Sequence, residues 1–402
     1  MRNTILKKAH CEQILAALII FLCLPSVVLA QDVGIVSREV DRFSIGCILP
    51  LTGPQSHIGQ SILDAVILSS GVLDENRKLP LQLVIKDLGK TDKAIPSIVE
   101  RMAHQQKVIG IIAFLDGPDA VPAAREAQKW QVPMIIQTPV EKVTDEGNFI
   151  FRHYPDQKQQ ILTLVRYAMD TQHINSFAIL YPDKPEESIQ ASIFREEVQH
   201  RGGKIAFIRS YKADQTDFRE EIQAMIPPPV VSNSIPEQAK SETRMNVEFQ
   251  GFFIPDAYPA VRMIVPQLAF YGLKGIRLLG TSGWNDRALL KNDAAYYEGA
   301  FFVDSFCVNS FNPEAADFAD HFFVETGRDP GSREAMAYDT IKIIMKVLEN
   351  PKIQTRDQLR QGIANTGHFH GATGGISFDE KRQSSKEVFL ITIRNGQMIQ
   401  VK

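Results

Sequence analysis

Phe43-Ser-Ile-Gly-Cys-Ile-Leu-Pro50, Leu51-Thr-Gly-Pro-Gln-Ser-His57 and Ile58-Gly-Gln-Ser-Ile-Leu-Asp-Ala65 decide how this chain folds. An apolar run ends at Pro50 and passes through a polar loop carrying Gly53. It then enters a stretch with Ile58, Ile62, Ala65, Val66 and Leu73 on one stripe, the spacing of an amphipathic helix. A buried strand followed by a polar loop and a helix is the unit of an open parallel sheet. In such sheets small ligands dock where strand carboxyl ends meet helix amino ends, because unpaired N–H groups and the helix dipole favour anions there. Thr52, Gln55 and Ser56 add polar side chains at that corner.

The same rhythm repeats downstream. Strands are expected at Leu81–Asp87, Val108–Phe114, Pro133–Gln137, Ser176–Tyr181, Lys204–Tyr211, Gly251–Ile254, Arg277–Gly280 and Gly299–Val303, short runs bounded by Gly, Pro or Asp. Helices are expected between them, at Ala94–Gln105, Ala120–Trp130, Gln157–Thr171, Glu187–Arg201, Asp217–Met225 and Ala257–Phe270, and beyond them at Pro313–Thr326 and Ser332–Leu348. This alternation predicts an α/β protein whose parallel sheets are covered by helices on both faces. At 402 residues there are more strands than one core needs, and two doubly wound lobes dividing near Arg152–Asp156 are expected. The stretch from Ile226 to Thr243, rich in proline and polar residues, reads as a surface insertion.

Five strand ends carry turn loops of a binding type: Leu115-Asp116-Gly117-Pro118, Gln137-Thr138-Pro139, Tyr181-Pro182-Asp183, Pro255-Asp256-Ala257 and Thr281-Ser282-Gly283-Trp284. Each alone is a turn signal; their recurrence predicts one shared cleft. Catalytic patterns are not supported. Gly280-Thr-Ser-Gly-Trp284 lacks the G-x-S-x-G spacing. His368-Phe-His370 has no third ligand nearby, and Gly371-Ala-Thr-Gly-Gly375 lacks the lysine of a phosphate loop. No dinucleotide fingerprint is present, so neither a cofactor nor a resident metal is expected.

The amino terminus reads as an export signal. Arg2, Lys7 and Lys8 precede the apolar stretch Ile14 to Leu24, and Val28-Leu29-Ala30 followed by Gln31-Asp32 is a cleavage pattern. The apolar run is shorter than the roughly 20 residues of a membrane span. Neither Cys23, preceded by Phe21-Leu22, nor Cys47, inside a strand, suits lipidation. Beyond the signal, Cys47 and Cys307 remain, and free buried thiols are expected rather than a disulfide. With a net charge of −3 and no basic run, nucleic acid is not an expected partner.

From about Phe43 to Val401 the chain resembles the leucine/isoleucine/valine-binding family of type I periplasmic binding proteins. The matching segments are Leu51-Thr-Gly-Pro54, Val108-Ile-Gly-Ile-Ile112, Phe151-Arg152, Ala337-Tyr-Asp339 and Thr373-Gly-Gly-Ile-Ser-Phe-Asp379. Phe253-Ile-Pro-Asp256 and Leu278-Leu-Gly-Thr-Ser-Gly-Trp284 look most like a branch of penicillin-binding-protein activators. The resemblance implies two lobes joined by three hinge crossings, 42–154 plus 309–372 and 155–308 plus 373–402. It also implies a small amino-acid-like solute passed to the permease of an ABC transporter, with no enzymatic activity. The solute's carboxylate would meet the Thr52–Ser56 and Leu115–Gly117 loops, and its side chain and amine Tyr154, Asp183 and Asp256.

Two positions depart from that pattern. Ser282 stands where amino-acid binders place a glutamate for the ammonium, and Asp116 puts a negative charge where the ligand carboxylate would lie, which repels an anion unless offset. Regulation of a cell-wall synthase, or input to a sensor, is the alternative function.

Overall fold

The first strand, β1 (Asp41–Leu49), is buried along most of its length and sends alternate side chains to opposite faces of its sheet. Ile45, Cys47 and Leu49 join one apolar cluster, and Ile48 joins another, as the two-residue period of a strand requires. The computed structural model describes residues 40–74, 79–89, 95–226, 247–291 and 294–401. The expected export signal, and the expected surface insertion beyond Ile226, lie outside the described residues.

Five parallel strands build the first sheet in the order β2 (Gln82–Asp87), β1, β3 (Val108–Phe114), β4 (Met134–Gln137) and β5 (Ile150–Arg152). One face is covered by α1 (Ser56–Ser70), α8 (Pro313–Thr326), α9 (Ser332–Leu348) and α10 (Arg356–Ala364); the other by α2 (Ile95–His104) and α3 (Ala120–Lys129). A second sheet has the order β15 (Gln397–Gln400), β14 (Phe389–Arg394), β10 (Phe301–Asp304), β9 (Arg277–Gly280), β8 (Gly251–Ile254), β6 (Ser176–Pro182) and β7 (Lys204–Tyr211). Strands β6 to β10 are parallel, and β14 and β15 are added antiparallel at one edge. Here too, neighbours along a strand part company: Phe252 and Ile254 face one cluster, Phe253 the other. The helices of this sheet are α4 (Gln157–Arg166, continued by a π-helical turn over Tyr167–Thr171), α5 (Pro185–His200), α6 (Arg219–Met225) and α7 (Tyr258–Phe270).

The chain therefore passes between the sheets after β5, after β10, and through a small antiparallel sheet of β11 (Phe369–Gly371), β12 (Gly374–Phe378) and β13 (Ser384–Lys386). The Gly371–Gly375 stretch is the hairpin of that third sheet. Strand β5, helix α10 and the strands from β11 to β15 are additions to the expected elements. Cys47 and Cys307 are free and buried. Among the described residues no helix is long and apolar enough to cross a membrane.

Candidate ligand-binding cleft

The corner after β1 is shaped by Asp87 at the end of β2. Its Oδ1 accepts from the N–H groups of Leu51, Thr52 and Gly89, and its Oδ2 from the Thr52 hydroxyl at 2.6 Å. Burial raises this carboxyl, but the Thr52 hydroxyl and the Gly89, Leu51 and Thr52 N–H groups outweigh it and hold Asp87 below the ordinary carboxylate range. Thr52 is thus spent on the loop itself. Helix α1 then begins at Ser56 beside Gln55, with no side-chain cap and no acidic residue in its first turn. Such an amino terminus is open to an anion. Gly59 is required by a close approach: a Cβ there would stand 2.1 Å from the Pro50 carbonyl oxygen.

Gln55, Asp116 and Tyr154 are brought together around one recess at this corner. Pro50, Ile58, Ile62, Phe114, Met336, Gln137 and Arg333 complete its lining, and its volume is about 20 Å³. That is room for about one water molecule. Arg333, in the first turn of α9, lines the same recess and forms an ion pair there: its Nη2 lies 3.3 Å from Asp116 Oδ2. Gly117, at φ 110°, turns the chain behind Asp116. Burial foremost, with Glu186 and Asp116 adding to it, pushes the Tyr154 phenol up to about 12. It stays a neutral hydroxyl.

Other expected contacts lie elsewhere. Leu115 is buried in the apolar cluster between β3, β4 and α3 rather than in the cleft, because its backbone continues the pairing with β4, bonding Gln137 O. Thr138 is fully buried, and its carbonyl accepts from Arg152 Nε at 2.8 Å. Asp256 is buried too; its carboxylate takes the Tyr211 hydroxyl and, at 2.7 Å, the Ala257 N–H. Asp183 lines a separate recess of about 570 Å³ with Arg209, Tyr211, Lys212 and Arg219. Ser56 is half-buried at the start of α1, and Ser282 is exposed at the start of a 3-10 turn. Behind it, Trp284 is fully buried, its Nε1 donating to Ile254 O at 3.1 Å. A Cβ at Gly280 would come within 2.3 Å of that indole, so the Gly280–Trp284 stretch is a packing unit.

A buried polar hub joins the crossings. Lys386 Nζ lies 2.8 Å from His153 Nε2 and 2.6 Å from Thr373 Oγ1. The Thr373 hydroxyl and the Ala372 and Thr373 N–H groups donate to Asp339. Asp304, at the end of β10, accepts from the Ser332 hydroxyl and from Asn285 Nδ2. Arg287, in a 3-10 turn after β9, pairs with Asp329, between α8 and α9. Burial lowers the Lys386 amine to about 7 against the pull of Asp339 and Asp304, and raises Asp304 to about 6. Nothing in the local sequence around His153, Asp304 or Lys386 marks them as partners. Asp339 stands in the Ala337-Tyr-Asp339 match, and Arg333 had no signal beyond its place at a helix start.

His368 and His370 are exposed, and among the described residues no group of three or more His, Cys, Asp or Glu side chains could hold a metal ion. A sequence profile described as periplasmic binding protein matches residues 43–227 and 251–397. No curated protein matches. Among solved structures, the chain is similar to the branched-chain amino acid transporter substrate-binding protein LivJ from Streptococcus pneumoniae in complex with isoleucine. Identity is 20%, coverage 90% of this chain and 100% of that one, and TM-score 0.70. It is also similar to the leucine-binding protein LivK from Thermotoga maritima (20% identity, 89% and 97% covered, TM-score 0.68). A third is a solute-binding protein of an ABC transporter from R. palustris in complex with 4-hydroxybenzoate (18% identity, 90% and 96% covered, TM-score 0.69). At these identities the likeness establishes the shared fold.

Proposed function

The chain belongs to the periplasmic binding protein family, and from that premise we propose that it is the exported solute-binding component of an ABC transporter. A small solute enters between two lobes, 42–154 with 309–372 and 155–308 with 373–402. By contacting both it favours the closed form, so its differential affinity shifts the population. The observation that carries this reading is the recess shared by Gln55, Asp116, Gln137 and Tyr154, at strand carboxyl ends of the first sheet and beside a crossing. Closure presents the loaded surfaces to a membrane permease. Export follows from the amino-terminal signal.

Thermal-shift screening against amino acids, carboxylic acids and peptidoglycan fragments tests it. A solute present at about 100 times its Kd stabilises a protein by about 2.7 kcal/mol, which is a readable rise in Tm.

One observation favours a second reading. The recess measures only about 20 Å³ and holds the protein's own Arg333–Asp116 pair, as in a regulatory interaction protein with a closed cleft. A Tm unmoved by every solute, together with capture of a cell-wall synthase or a sensor, would reject transport in its favour.

A further inference from the structure

We propose that Gln137 is a hydrogen-bond acceptor that selects the solute, its amide oxygen turned to the recess by Thr340 and His153, so that the ligand carries an O–H or N–H donor. This rests on the recess being a solute site. Gln137 ends β4 and lines the recess, yet it is only 5% exposed. Its Nε2 lies 3.0 Å from the Oγ1 of Thr340, in α9. Which end of the amide faces Thr340 follows from a count of protons. The Thr340 hydroxyl has one, and Met336 O, a carbonyl 2.7 Å away, only accepts it. The other two neighbours of Thr340 Oγ1 must therefore donate. His153 does so from Nδ1 at 2.8 Å, which leaves its Nε2 bare to accept from Lys386 Nζ at 2.8 Å. Gln137 does so through its NH2 group. Reversing the amide would set its oxygen against a lone pair of Thr340, and both Thr340 and His153 are fully buried, where an unmatched polar group is costly.

The oxygen of Gln137 is left over. No group among the described residues donates to it. Among those residues the buried side-chain polar atoms without a partner are Arg42 Nε and Gln106 Oε1. Gln137 Oε1 is therefore not sealed in, and it opens on the space its residue lines. A solute that reaches this oxygen without offering a donor strips it of water and leaves it unpaired, which lowers affinity. A hydroxyl and an ammonium both meet the requirement. What the oxygen discriminates is a donor from a methylene or a ring C–H in the same place. Thr340 and His153 touch no solute; they are positioning residues, and Lys386 fixes the tautomer of His153 from behind.

Titration calorimetry with matched probes tests this: leucine and 2-hydroxy-4-methylpentanoate against 4-methylpentanoate, and 4-hydroxybenzoate against benzoate. Within each set the carbon skeleton is shared and the donor group is what differs. In at least one set the donor-bearing member should bind about fivefold or more tightly than the member without it. Gln137→Met, which keeps the length without the amide, should cut that preference to about twofold or less. Thr340→Val should do the same, since a released amide turns freely, and Thr340→Ser should restore the preference. Circular-dichroism melting of each variant separates lost binding from lost folding. Nitrogen-15 NMR of the solute-free protein reads the relay itself. His153 should carry its proton on Nδ1. The Gln137 NH2, identified by its loss in Gln137→Met, should exchange with solvent about tenfold or more slowly than exposed glutamine amides, and Thr340→Val should abolish that protection. Equal affinity within both sets, a preference that survives Gln137→Met, or a His153 proton on Nε2 overturns the assignment while leaving a solute-binding protein in place. Silence toward all the probes with a Tm raised by another solute does the same. Silence toward every solute overturns both.

Discussion

Lys386 Nζ and His153 Nε2 stand 2.8 Å apart, both buried where the first and third crossings meet. An ammonium only donates, so His153 accepts at Nε2 and carries its proton on Nδ1, 2.8 Å from Thr340 Oγ1. The Thr340 hydroxyl passes the chain on to Met336 O at 2.7 Å. Burial first, and then the Lys386 charge, hold the imidazole well below its ordinary range, so it stays neutral. The crossings are thus tied by one amine, and it titrates near physiological pH.

The consequence for stability has a definite sign. Burial lowers Lys386 from 10.5 to about 7 in the folded state. The stability linked to it is therefore complete above about pH 10.5 and is lost as pH falls toward 7. The Tm of wild type minus that of Lys386→Met should widen from pH 7 to pH 10. At neutral pH the variant should cost about 3 kcal/mol or more, since Asp339 is left buried without its cation. A difference that does not change with pH would mean the amine is not held in this state.

Asp304 runs the other way. Burial raises it from 3.8 to about 6, against the Ser332 hydroxyl and the Asn285 amide that hold its charged form. Its contribution is complete below about pH 3.8 and is lost as pH rises through 6. Urea titrations should show wild type losing stability relative to Asp304→Asn between pH 4 and pH 6.

The thiols offer an inexpensive check. Burial pushes Cys47 up to about 12 and Cys307 up to about 11, and the thiolate is the reactive form. Protein beginning at Gln31 should show no thiol reactive toward Ellman's reagent when native and both in guanidinium chloride. Rapid native labelling of either would place it outside the core.

Gly59→Ala probes the corner itself. Its Cβ would lie 2.1 Å from Pro50 O, and backbone cannot swing aside as a side chain can. A loss of about 2 kcal/mol or more is expected in denaturant melts, together with weaker solute binding, because α1 must tilt away from the recess. A variant melting like wild type would show that the corner tolerates the shift.

The parallel strands were legible because each is a short apolar run stopped by Gly, Pro or Asp, and helices fill the intervals. Strand β5 has only Ile150, Phe151 and Arg152, too few to show a period. The β14–β15 hairpin does carry a signal: Asn395-Gly396, at φ 53° and 67°, between apolar-rich runs, the chemistry of a two-residue hairpin turn. An expectation of strand–helix alternation leaves no room for an antiparallel edge. Around the recess, Gln55 and Asp116 could be found from strand-end loops, and Tyr154 only from what the family resemblance implies. Thr138 and Asp256 could not be told from turn residues, since their burial is decided by Arg152 and Tyr211, partners that only the fold brings close. The same holds for Arg333 and for the hub, whose members come from the turn after β5, the end of β10, α9 and the third sheet.

Native mass spectrometry of the protein, expressed in a Gram-negative host with its amino-terminal segment intact and purified without denaturation, tests the central claim most directly. One small-molecule adduct of defined mass, lost on unfolding and competed by a solute that raises the Tm, is the expected result. A bare polypeptide mass that stays bare with every solute added would contradict it.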